Sequence, residues 1–110
     1  MKSMNLELLA VTAVLGLLLA VSPMANAQTA AATYKAKCAM CHGADGKADT
    51  PAGKSMGAHS FSSPEVKKES DTELEAIISK GKNKMPPYAS RLKESEIKEL
   101  AAYVKELGNK

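Results

Sequence analysis

The only two cysteines in this 110-residue chain stand at Cys38 and Cys41, and His42 follows directly. On a helical turn, thiols three residues apart share one face. Each can then bond one of the neighbouring vinyl groups on the edge of a haem, and the next residue can offer a ring nitrogen to the iron. Cys38-Ala39-Met40-Cys41-His42 therefore reads as the attachment segment of a c-type haem, with His42 as the proximal ligand.

The rival readings of this spacing need groups that the chain lacks. A four-ligand zinc site would have to recruit His42 and His59, and the position of His59 fits none of the usual ligand patterns. A redox dithiol of the thioredoxin kind sits between a strand and a helix, whereas the approach to Cys38 is rich in alanine and helical in character.

Residues 1–27 read as an export signal: Lys2 near the start, an apolar stretch from Leu8 to Val21, and Ala25-Asn26-Ala27 as a small-x-small cleavage site. The stretch is short for a bilayer crossing, which takes about 20 residues, so removal is expected over retention as a membrane anchor. Export agrees with haem attachment, which bacteria carry out outside the cytoplasm, and places the mature chain in the periplasm. Cleavage takes away Lys2 and Glu7 and leaves the net charge of +3 unchanged. That balance does not suggest nucleic acid, which calls for a strongly basic patch within a recognisable motif.

Residues 28–110 then form one small domain. With no Trp, one Phe and three Tyr in the chain, its own side chains make a marginal core. A buried haem supplies the missing apolar body, so the haem-free chain is expected to be largely unfolded.

Helical periods recur and no strand alternation does, so the fold class is all-α. A first helix from about Thr29 to Lys37 carries Ala30, Ala31 and Tyr34 along one side. Residues 43–63, rich in Gly, Ser, Asp, Pro and Lys, read as a long loop wrapped over a cofactor. Ser63-Pro64 suits a short helical turn, and Ser70-Asp71-Thr72-Glu73 has the form of a capping box ahead of Leu74, Ile77 and Ile78, with Gly81 closing that helix. The last helix, about Glu94 to Leu107, aligns Ile97, Leu100, Ala101, Val104 and Leu107, with Gly108 as its stop.

What fills the iron's other axial position decides between electron transfer and the binding of small molecules. Met40 lies within the attachment turn, and Met56 and His59 follow too closely in the same loop to reach around the ring. Met85 comes after a complete helix that can carry the chain across. Pro86 biases it to an extended backbone, and Pro86 and Pro87 stiffen the loop around a weak thioether ligand. Met85 is the expected second ligand, although an adaptable core methionine is the commoner role.

The attachment segment, the capped middle helix ending at Gly81, Lys84-Met85-Pro86-Pro87-Tyr88 and the closing Leu100-Ala101-Ala102-Tyr103-Val104 helix together resemble a small bacterial class I cytochrome c. The resemblance implies three to four helices wrapped around one covalent haem c, with the first and last helices crossing near Tyr34 and Tyr103 and one haem edge exposed. It also implies that the Pro51 carbonyl accepts a hydrogen bond from His42. Relatives usually cap the last helix with Ser or Thr; here Lys93 takes that place.

The expected function is a monohaem electron carrier, not an enzyme, with iron held by His42 and Met85 and electrons exchanged through the ring edge near Cys38 and Cys41. Its partners would be redox proteins such as a dehydrogenase, a cytochrome complex or a terminal oxidase. They are met by a monomer that contacts membranes only through them or through an uncleaved signal. Lys80, Lys82 and Lys84, with Lys35 and Lys37, form either a steering collar or solvated surface balanced by Asp71, Glu73 and Glu75. The competing reading is a haem-based ligand binder or sensor in which the methionine is absent or easily displaced.

Overall fold

A helix whose apolar residues recur at three- and four-residue intervals must bury that stripe, and the C-terminal helix does so between two others. The computed structural model describes residues 25–110. Of the export signal expected over residues 1–27, residues 1–24 lie outside the described residues. The elements are α1 (Ala25–Lys37), α2 (Ala39–His42), α3 (Pro51–Met56), α4 (Pro64–Lys67), α5 (Asp71–Lys80) and α6 (Glu94–Gly108). There is no strand among the described residues, only an isolated bridge between Lys82 and Met85. The all-α expectation holds, with three longer helices and three short ones among the described residues.

All five residues of the α6 stripe are buried, Leu100 and Ala101 at 1% exposure. They form one apolar cluster with Tyr34 of α1, Leu74 and Ile78 of α5, Phe61 and Leu92, and Ala30 of α1 is buried as well. Each large apolar side chain so buried contributes roughly 1.5–3 kcal/mol. Tyr34 packs edge-on against Tyr103 with ring centroids 5.3 Å apart. An exposed ion pair between Lys105 and Asp71, 2.6 Å, bridges α6 and α5.

The helix ends follow local chemistry. Ser70 Oγ accepts from the Glu73 amide at 3.1 Å, and Glu73 Oε2 accepts from the Ser70 amide at 2.7 Å, completing the capping box of α5. At α6 only half of this device exists. Glu96 Oε1 accepts from the Lys93 amide at 2.9 Å, and the Lys93 ammonium, having no lone pair, cannot reciprocate. The helix nonetheless starts at Glu94 as expected.

Three local expectations are corrected. α1 begins at Ala25, earlier than expected. Residues 43–63 are not wholly loop: Thr50 Oγ1 accepts from the Gly53 amide, Pro51 occupies the first turn and Gly57 at φ 70° closes α3. Thr-Pro at a helix start and Gly at its end are legible signals, masked here by the polar composition around them. Gly108 continues α6 and does not stop it. A Cβ there would lie 2.6 Å from the Phe61 carbonyl oxygen, so close packing is what this glycine provides.

Candidate haem site

The site is built from a turn and a loop that the helices hold. Cys38 closes α1 through its amide, which donates to the Tyr34 carbonyl at 2.8 Å, and its own carbonyl accepts from the Cys41 and His42 amides at 3.2 and 2.9 Å. This single turn carries Cys41 and His42 on α2, with Cys38 as its N-cap. Both cysteines are free, half-buried thiols. Burial pushes the Cys38 thiol up to about 11, with Lys37 pulling it back and Cys41 raising it further.

His42 is also half-buried, and burial holds its pKa below the ordinary 6.5. It is therefore the neutral imidazole, the form that ligates metals, at neutral pH. Its ring stacks on Phe61 with centroids 4.8 Å apart and planes at 28°. Nδ1 is buried without a hydrogen-bond partner among the described residues, so the bond expected from it to the Pro51 carbonyl is not formed. Pro51 is the first residue of α3.

The surrounding backbone is tightly specified. Thr50 Oγ1 donates to the Cys41 carbonyl at 2.9 Å, the Ala48 amide to the His42 carbonyl at 2.8 Å, and Tyr34 Oη to the Gly43 carbonyl at 2.6 Å. Burial drives the Tyr34 phenol well above its usual pKa, with Cys38, Tyr103 and Asp45 adding to the rise. None of these supporting contacts was anticipated. Thr50 was the one with a local signal, as a cap before proline.

Met85 comes from the loop after α5. Its amide and carbonyl pair with Lys82 across a tight turn whose apex, Asn83, lies at φ 54°. Gly81 at φ 79° lets this loop fold back, since a Cβ there would stand 2.6 Å from the Met85 carbonyl oxygen. Tyr88 anchors the loop twice: its amide donates to the Ile78 carbonyl at 3.0 Å, and its hydroxyl donates to the Lys37 carbonyl at 3.2 Å, beside the attachment turn. The Arg91 guanidinium lies 5.6 Å over the Tyr88 ring.

Cys38 and Met85 both pack against the central apolar cluster, and His42 stacks on Phe61, a member of it. The structure thus gathers all but Cys41 of the expected site residues around one core, with Cys41 on the same turn as Cys38 and His42. The other methionines considered stand away from it: Met40 is 80% exposed and Met56 42%. His59 is exposed as well. Two free thiols, a neutral imidazole and a thioether form a donor set that fits a covalent haem.

Residues 25–104 match the family described as cytochrome c oxidase, cbb3-type, subunit III. No curated protein matches the chain. A solved structure named KustC0563 c-type cytochrome is similar at 31% identity and a TM-score of 0.66, over 71% of this chain and 95% of that one. A second, the Kuenenia stuttgartiensis reducing HAO-like protein complex Kustc0457/Kustc0458, is similar at 26% identity and a TM-score of 0.66. That likeness covers 84% of this chain and 47% of the other. Sequence, site and relatives agree: the chain belongs to the cytochrome c oxidase, cbb3-type, subunit III family and is a small monohaem class I cytochrome c, with covalent haem c as cofactor and haem-based electron transfer as its function.

Proposed function

We propose that this cytochrome is an exported electron carrier whose iron is held between His42 and Met85. The observation that carries the reading is the burial pattern of the candidate ligands. Met85 rests on the core that Cys38 and Phe61 share, while Met40, Met56 and His59 face solvent. The covalent haem supplies a one-electron ferric/ferrous couple. Cys38 and Cys41 would hold it through thioethers, His42 would offer a neutral nitrogen, and Met85 a soft sulfur that would favour the reduced state. With His42 and Met85 both holding the iron, the group would keep no open site for a substrate, and outer-sphere electron exchange on the side of Cys38 and Cys41 would be the chemistry it supplies.

Residues 1–27 act as a cleaved signal, and residues 28–110 work in the periplasm as a monomer. No helix among the described residues is long and apolar enough to cross a membrane. Lys80, Lys82 and Lys84 are exposed and take part in no ion pair among the described residues. Of the three acids named against them, Asp71 is paired with Lys105 and Glu73 is engaged in the α5 cap, which leaves Glu75. Together with Lys35 and Lys37 they make a basic collar suited to an acidic redox protein, such as a dehydrogenase, a cytochrome complex or a terminal oxidase. The likeness to a chain from an HAO-like complex supports partners of that redox kind.

Carbon monoxide added to the reduced holoprotein tests the carrier against a ligand-binding sensor. A carrier leaves its spectrum unchanged over minutes; rapid formation of a carbonyl complex would show that Met85 is absent or easily displaced.

A further inference from the structure

We propose that Tyr34 is a positioning residue for His42, its phenol fixing the turn from which the imidazole is presented. The inference rests on the reading of His42 as an axial ligand. α2 is a single turn, and the carbonyls at a helix C-terminus have no partner within the helix. Here three consecutive ones are each taken by a donor from elsewhere. Thr50 Oγ1 holds Cys41, the Ala48 amide holds His42, and Tyr34 Oη holds Gly43, the last being the shortest at 2.6 Å and buried.

Ala48 reaches its position at φ 58°, a left-handed conformation that a residue with a Cβ adopts only when its surroundings impose it. Ligating histidines are ordinarily aimed by a hydrogen bond at the free ring nitrogen. His42 Nδ1 has no such partner among the described residues, so backbone and stacking are left to set the ring plane. Both lead to Tyr34. Phe61, stacked on His42, meets the Tyr34 ring at 6.1 Å and 65°, and Tyr34 is in turn braced by Tyr103 of α6. Packing on α6 and a hydrogen bond to the ligand-bearing turn are thus combined in one side chain.

Tyr34→Phe keeps the ring and removes only the hydroxyl, leaving the Gly43 carbonyl with the longer bond from the Gly46 amide alone, 3.1 Å against 2.6 Å. In the ferric holoprotein, the spread of the haem-methyl proton resonances reports the plane of the axial imidazole. The variant should alter that spread and shift the reduction potential while keeping the far-red sulfur-to-iron band. Amide exchange at His42 and Gly43 should quicken about tenfold, the scale of one buried hydrogen bond. Thr50→Val, which frees the Cys41 carbonyl, should change the methyl pattern in the same manner, and Thr50→Ser should restore it. If Tyr34→Phe fails to mature, the Thr50 pair decides alone. An unchanged methyl pattern and unchanged exchange in mature variants overturn the inference. A wild-type spectrum without two strong axial ligands overturns instead the ligand reading on which it rests.

Discussion

At the residue scale, the proposed site residues stand out in the sequence because the chemistry of attachment would dictate the types and spacing of Cys38, Cys41 and His42, and because the prolines after Met85 would stiffen the loop around a weak ligand. The residues that support them are not legible in the same way. The Tyr34 hydroxyl finds the Gly43 carbonyl only because α2 ends where it does and Gly43 turns away at φ 79°. Gly53 is a further case. Its conformation is ordinary for a helix, yet a Cβ would press onto the Cys41 carbonyl oxygen and stand 2.8 Å from that of Ala48. Both obstacles are backbone and cannot swing aside. Gly53→Ala should therefore cost about 1–3 kcal/mol in holoprotein stability, measured by denaturant unfolding, with reduced haem loading.

At the scale of elements, α5 and α6 follow their periodicity almost to the residue, since caps and apolar stripe agree. α3 was hidden because six residues carry too little apolar pattern to stand out from a polar stretch, and its role is to bring Thr50 and Gly53 onto the attachment turn. The α5 cap gives a pH-dependent prediction. The Ser70 amide, with help from Glu69 and the Ser70 side chain, holds the Glu73 carboxyl below its ordinary 4.5. A depressed carboxylate contributes stability above the unfolded value of 4.5 that is lost as pH falls through the folded one. Glu73→Gln should thus lower the melting temperature at pH 7 and make a smaller difference in acid; an equal difference at both would show that the charge is not what matters. In α6, Leu100→Ala should cost about 2–5 kcal/mol, as befits a side chain 1% exposed between two helices.

At the scale of the whole molecule, the described core contains Tyr34 and Phe61 as its only buried aromatic residues, and it joins α1, α5 and α6 on the side where Cys38 and Met85 rest. A small domain of this kind depends on its cofactor for apolar bulk. Haem-free protein should lack the cooperative thermal transition of the holoprotein by circular dichroism; similar melts would contradict this. Sequence reasoning reached the need for such a body from composition, but not the lie of the loops, which follow contacts between distant segments such as Tyr88 and Lys37. The same scale governs encounter. Lys82→Glu should slow electron exchange with an acidic partner several-fold at low salt and little at high salt, read by stopped flow. A rate indifferent to both charge and salt would remove steering by the collar.

The pairing of His42 with Met85 is tested most directly by the far-red sulfur-to-iron charge-transfer band of the oxidised holoprotein. The band should be present in the wild type, persist in Met56→Ala and Met40→Ala, and vanish in Met85→Ala. A wild type without it, or a Met85→Ala variant that retains it, would contradict the assignment of Met85 to the iron.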